Sequence, residues 1–385
     1  KKYFFDTNIN LIKNSLLIDF LNYKKEENIK SLISLKGVYK INKKIRFDKI
    51  MLEENSNNFL IKNINLNNRL KIIDLELLDF DYKNNDKIKN KFNIKKDKKN
   101  YKITGESFDA TKLIDNILNG KDNEKNGSIF NNLNSSLELK INKTFLDSST
   151  FVNNLNGNLY FKGNEIYKLN LDSTFPNNKK LTISINTTES EEKITTLFSN
   201  YPKPIVKQYK FIKGFEGGIL DFYSIKKNDI SNSVLKIDNF KVQEVPVLAK
   251  LLTLASLQGI ADLLTGEGIR FTDFEMKFSN KNDLMSIDEM YAIGPAISVL
   301  MDGYIETKKL ISLRGTLVPA TTINKSIASI PLIGKILVGK KTGEGVFGVS
   351  FKIKGPPKDL KTTVNPVKTL TPRFITRTLE KIKKN

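Results

Sequence analysis

Apolar and polar residues alternate one for one along much of this chain. Leu137, Leu139 and Ile141 alternate with Glu138 and Lys140, and Leu181, Ile183 and Ile185 with Thr182 and Ser184. Further on, Phe274, Met276 and Phe278 alternate with Asp273, Glu275 and Lys277, and Phe347, Val349, Phe351 and Ile353 with Gly348, Ser350 and Lys352. A period of two puts the apolar side chains on one face, so each segment predicts a strand with one buried side. Between Ile72 and Tyr82 the phase changes: Ile73, Leu75 and Leu77 share one parity, and Leu78, Phe80 and Tyr82 take the other. One extra residue restores all six to one face, which predicts a β-bulge or strand break near Leu77–Leu78. Asn- and Lys-rich stretches over 83–99 and 119–132 read as exposed turns and loops. No strand–helix–strand rhythm appears, which argues against a parallel α/β sheet.

Helical signals gather towards the end. From Val245 to Leu264 the chain is apolar nearly all round, with Leu248, Leu251, Leu252, Leu254, Leu257, Gly259 and Ile260, and it closes at Gly266-Glu267-Gly268. Such a helix suits an apolar environment. It reads as a plug or cap on an apolar trough, as a contact with a membrane surface, or as a buried core helix. A second apolar run covers Asn324 to Val338, and a terminal piece follows Pro372, with Thr371 as its cap. Segment 107–118 suits a short helix, and 10–23 fits either a helix or two strands with a turn.

Many strands with one apolar face, and few helices, leave a covering problem. The faces either meet each other, as in a sandwich, or curl into a trough that holds something apolar. The expected fold is therefore mainly β. An elongated antiparallel segment over 1–240 is followed by a mixed β/α domain over 241–385.

Composition narrows the chemistry. The 385 residues include 63 Lys and Arg against 42 Asp and Glu, a formal net charge of +21, and no His, Cys or Trp. Without His or Cys, Ser-His-Asp triads, Cys-His pairs and ordinary zinc sites are excluded, as are disulfides. The excess of lysine and asparagine is spread along the chain and solvates strand faces and loops. Aromatics do not interleave with the basic runs as base stacking requires, so nucleic acid is not an expected partner. Lys250, Gln258 and Asp262 interrupt the best apolar run, so no membrane-spanning helix is expected. The chain opens at Lys1 without an initiator methionine and reads as a fragment or processed chain.

Several motifs look chemical and read better as structure. Gly334-Lys335-Ile336-Leu337-Val338-Gly339-Lys340 matches the start of a phosphate-binding loop, but Lys341 stands where a Ser or Thr is needed. Asp79 with Asp81, and Asp288 with Glu289, lie beside apolar alternations and read as solvated faces. The two Gly-Glu-Gly turns, Gly266–Gly268 and Gly343–Gly345, each open a strand, and glycine supplies the backbone freedom there. The basic stripe Arg373, Arg377 and Lys381 suits anionic lipid head groups or plain solvent.

The order of these words resembles the AsmA-like superfamily, in particular the C-terminal region of its YhdP-type branch. The resemblance runs through Val245-Pro246, Gly259-Ile260, Gly266-Glu267-Gly268, Gly294-Pro295-Ala296 and Gly315-Thr316-Leu317-Val318-Pro319. It continues through Ile323-Asn324, Ile330-Pro331-Leu332-Ile333-Gly334, Gly343-Glu344-Gly345-Val346-Phe347, Gly355-Pro356 and Val364-Asn365-Pro366. It is dense over the last third of the chain and thin over the first 200 residues. It implies a long antiparallel sheet curled into a hydrophobic groove on the periplasmic side of the inner membrane of a Gram-negative bacterium, anchored by an upstream segment. It also implies a non-enzymatic role in moving phospholipid towards the outer membrane, without a cofactor. The alternative role is an assembly or structural factor acting on protein partners. On this reading Leu248, Leu251, Leu252, Leu254, Leu257, Ile260, Phe274, Met276, Phe278, Phe347, Val349 and Phe351 are the apolar positions expected to meet acyl chains. Gly259, Gly266, Gly268, Gly294, Pro295, Pro319, Asn324, Pro331, Gly334, Gly343, Gly345, Asn365 and Pro366 are expected in turns.

Overall fold

The computed structural model describes residues 1–41, 44–112, 114, 132–163, 165–207, 213–243, 245–255, 257, 262, 266–307, 309–319, 348–357 and 359–367. The chain divides into two compact units, 1–188 and 189–385, and strand is the dominant element in both.

In the first unit, β1 (Lys2–Asn10) leads to a small hairpin of β2 (Leu16–Ile18) and β3 (Tyr23–Lys25), with a 3-10 turn at Asp19–Leu21 between them. There follow β4 (Ser31–Lys40), β5 (Lys44–Glu54), β6 (Asn57–Asn67), β7 (Ile72–Asp74), β8 (Leu77–Lys83), β9 (Lys89–Asp97) and β10 (Asn100–Asp109). Then come β11 (Ser135–Phe145), β12 (Phe151–Lys162), β13 (Glu165–Thr174) and β14 (Lys180–Thr187). The hairpin strands pair with each other, β1 pairs with β4, and from β4 onward each strand pairs with the next, β6 meeting both β7 and β8. All these pairs are antiparallel except one. β10 and β11 run parallel, with Tyr101 facing Leu137 and Phe108 facing Thr144, and the long 110–134 connection supplies the crossover that a parallel step needs.

In the second unit, β15 (Lys193–Ser199) and a single-turn α1 (Lys203–Val206) precede β16 (Lys213–Lys227) and β17 (Ile230–Gln243). After α2 (Pro246–Leu254) come β18 (Ile269–Lys281), β19 (Leu284–Ile293), β20 (Ile297–Glu306), β21 (Leu310–Pro319), β22 (Gly348–Gly355) and β23 (Lys361–Val367). From β15 to β23 every neighbour pair is antiparallel. α2 begins three residues after β17 and lies against β23, six strands away. A flat sheet would put those strands ~29 Å apart, whereas a nine-residue helix is only ~13 Å long. The sheet therefore curls to bring β23 round to the helix.

A seam of irregular positions crosses each sheet near mid-strand. On β6 the more buried positions are Phe59 and Ile61, then Ile64 and Leu66, and the phase switches at Asn63, whose φ is 49°. The same switch falls at the facing Asp48 of β5, and on β10, β11 and β12 at Glu106, Asn142 and Asn154, where Asn154 has φ 53°. In the second unit Gly217 and Gly218 (φ 74° and 86°), Asn239 (φ 53°) and Thr272 sit side by side on β16, β17 and β18. An extra residue inserted in a strand bends it while keeping its apolar set on one side. Placed at facing positions on neighbouring strands, these residues crease the sheet.

Several sequence expectations land differently. Residues 10–23 take the strand-pair option. The phase change before Tyr82 is a strand break at Leu75–Glu76, just upstream of the expected site, with Leu75 buried. The 83–99 stretch, expected as loop, contains β9, because Phe92 and Ile94 alternate with lysines and pair with Phe80 and Leu78. Ser107 to Asp109 continues β10 where a helix was expected, and Thr111, Lys112 and Ile114 beyond it are helical. Asn365 and Pro366, expected in a turn, lie in β23 opposite Ser350 and Val349. The 240/241 position lies inside the second unit and within β17, whose side chains share one core with those of α2.

Candidate functional site

Strand register turns the separate alternations into continuous apolar rows. In the first unit Leu35 faces Ile50, Ile50 faces Ile61, Ile61 faces Leu78 and Leu78 faces Ile94. The row continues from Ile94 to Ile103, Leu139, Gly157, Leu171 and Ile183. It crosses ten strands, and every side chain in it is half-buried. At ~4.8 Å per strand it extends ~43 Å. Two residues along each strand on the same face lies a second row: Leu52, Phe59, Phe80 and Phe92, all buried.

The hairpin covers that second row. Leu21 and Tyr23 pack among Leu52, Phe59, Phe80, Tyr82 and Phe92, and the Tyr23 ring lies 4.7 Å from that of Phe59. Edge-on pairs link Phe59 to Phe80, Phe80 to Phe92 and Phe92 to Phe108 at 5.3, 5.6 and 5.1 Å. Polar bonds hold the cover in place. The Tyr23 hydroxyl donates to the buried Glu54 carboxylate, Tyr82 donates to the Leu21 carbonyl (3.1 Å), and the fully buried Lys25 ammonium donates to the carbonyls of Leu11 (2.6 Å) and Asn14 (2.5 Å). Burial, and then the Glu54 charge, push the Tyr23 hydroxyl far above its ordinary pKa, so it stays a donor at any physiological pH.

The second unit repeats the arrangement with a helix as cover. Leu220, Ile237, Ala292, Val299, Leu317 and Val349 form a buried row together with the half-buried Phe274. Leu251 and Leu252 of α2 belong to the same core. Alongside it runs Leu197, Phe222, Leu235, Met276, Met290, Met301, Gly315, Phe351 and Val364, one residue on each strand from β15 to β23. Apart from the buried Phe351, the side chains of this row are half-buried.

The charged groups around Glu275 and Asp238 lie on the opposite face. Glu275 is buried there between Lys277 (3.1 Å) and Lys236 (3.2 Å) and accepts from the Tyr291 hydroxyl (3.1 Å). Burial alone would raise its pKa, but the two ammonium groups outweigh it and hold the carboxyl below its usual range. Asp238 moves the other way: burial, then Asp273 directly opposite and Asp221 nearby, push it up. Among the described residues no group of three or more acidic side chains is placed to hold a metal, and no helix is long and apolar enough to cross a membrane.

The residues expected to meet acyl chains fall into three groups. Leu251, Leu252, Phe278, Val349 and Phe351 are buried in the protein itself, and Leu248, Leu257 and Phe274 are half-buried against the same core or in it. Met276 lies in the half-open row, and Leu254 points away from the core, 49% exposed. Ile260 and Phe347 lie outside the described residues, as do Gly259, Asn324, Pro331, Gly334, Gly343, Gly345, Arg373, Arg377 and Lys381. Gly266 and Gly268 form the expected turn into β18, with φ 88° at Gly268, and Gly294-Pro295 make the bend before β20. Pro319 ends β21 opposite Ile297. The first-unit row was missed as a unit, because pairing partners are not visible in single-strand alternation. No family model matches the chain, and neither does any curated protein or solved structure.

Proposed function

We propose that the chain shields the acyl chains of phospholipid along its half-open apolar rows and performs no bond chemistry. The observation that carries this reading is the row from Leu35 to Ile183, continuous across ten strands and half-buried throughout. The ladder bonds of a sheet lie in its plane, so this face offers side chains but no free N–H or C=O. An extended peptide laid along it would leave its own backbone groups unpaired, at a cost of ~1–3 kcal/mol each. A polymethylene chain has no such groups and gains ~0.8 kcal/mol per CH₂ removed from water. The row is aliphatic, narrow and perpendicular to the strands, as one fatty tail requires. The resemblance to AsmA-like proteins supports the same reading and adds its setting: the periplasmic side of the inner membrane, with lipid passing towards the outer membrane.

Photoreactive residues placed at Ile94 and Leu171, then irradiated in cells, test it. Phospholipid adducts are expected at both, and not at Lys95 or Asp172, the exposed neighbours on the other face. Absence of adducts at the row, or equal yields at the outward positions, would overturn the proposal.

A further inference from the structure

The second-unit row differs from the first in one chemical respect. Three of the chain's five methionines, Met276, Met290 and Met301, face one another in direct register on β18, β19 and β20. The first-unit row has no methionine; half of its ten members are isoleucines, stiff at χ1. Methionine is unbranched, with a soft thioether and several free torsions, and reshapes to fit irregular partners. The small Ala292 lies two positions from Met290, while the Phe351 ring takes up the room that Gly315 leaves opposite Met301. The ladder also loosens there, with register shifts between Lys277 and Phe278 and between Ile287 and Met290.

We infer that the Met276–Met290–Met301 segment lets the second unit accept acyl chains bent by a cis double bond, where a row of branched side chains favours straight ones. This inference rests on the lipid-shielding reading and names the class of chain it takes. Flexible unbranched side chains yield to a kink. Isoleucines at the same places would hold a straight channel.

A photoreactive residue at Leu235, in the same row, reports which lipid occupies it. The intact chain is incubated with equimolar stearoyl and oleoyl lysophosphatidylcholine, irradiated, and the adducts weighed by mass spectrometry. Replacing all three methionines (M276I, M290I, M301I) is expected to lower the oleoyl-to-stearoyl adduct ratio about tenfold, the low end of what one misfitting methylene costs in an apolar site. Such near-isosteric apolar swaps in strands preserve the fold. M51I, on β5 of the other unit, should leave the ratio unchanged. An unchanged ratio in the triple variant overturns the inference while leaving lipid shielding intact. Adducts at Ile94 with none at Leu235 also overturn it. Absence of adducts at both positions removes the lipid reading itself, and this inference with it.

Discussion

Leu252 decides whether α2 is a built-in wall of the second unit or a removable occupant of its groove. Its side chain is 0% exposed and shares a core with Ile297, Leu317 and Val349, each also 0% exposed. Leu252→Ala removes three carbons from that core, a lost transfer energy of ~2.5 kcal/mol. The cavity adds to this, for a total of ~3–5 kcal/mol, because residues fixed in a hydrogen-bonded ladder collapse poorly into the gap. Leu254, two positions on and 49% exposed, provides the contrast: Leu254→Ala should cost less than ~0.5 kcal/mol. Hydrogen exchange of amides in β17 to β23 reads both. Leu252→Ala is expected to lower protection by about two to three powers of ten and Leu254→Ala by less than threefold. A loss below tenfold for Leu252→Ala, or equal effects of the two, would show that α2 does not hold this core, and the row it covers would then be open to ligand.

Glu54→Ala leaves the buried Tyr23 hydroxyl without its acceptor and should ease local opening of the 16–25 hairpin by ~2 kcal/mol, read as faster exchange at Tyr23 to Lys25, with Glu54→Gln clearly milder. Gly294→Ala would place a Cβ 2.2 Å from the Arg270 carbonyl oxygen, so a loss of about 2 kcal/mol or more is expected in urea unfolding. Asp238→Asn should stabilise the chain at pH 7 by ~0.5 kcal/mol, because like charges face each other across β17 and β18. The sign follows from a native pKa raised above the unfolded one: the ionised form is penalised in the fold, the penalty is complete above the native value, and it fades as pH falls towards ~3.9. Urea titrations in low and high salt check this, and a gain that persists undiminished in high salt would contradict the charge explanation.

The fold class was legible because each strand carries its own alternation. Leu137, Leu139 and Ile141 need no partner to declare a buried face. What a single strand cannot declare is its neighbour, so the register joining Ile94 to Ile103 and Ile103 to Leu139 was out of reach, and so was the parallel step between β10 and β11. The seam was only half legible. Asn63 and Asn154 look like ordinary polar residues in an asparagine-rich chain, and their left-handed backbone emerges only when facing strands switch phase together. The apolar run from Val245 announced a helix in an apolar setting without saying which residue turned inward. Leu252 is sealed and Leu254 is not, a distinction set by which side of α2 packs into the core.

The half-open rows follow from a mismatch of widths. Same-face residues along a strand stand ~6.6 Å apart, so a ten-residue strand presents about five inward positions over more than 25 Å. The covers are narrower. A helix is ~10 Å across with its side chains, and α2, which packs against β23, buries Leu251 and Leu252 in the core of the second unit. The hairpin, built from strands of three residues, is just as limited. Sealing the whole face would take either strands half as long or a second covering element in each unit. Among the described residues, two unlike covers each leave a half-buried apolar strip beside a closed one. That recurrence is hard to attribute to imperfect packing, since an aliphatic strip left half open costs stability at every strand it crosses unless something apolar spends time on it.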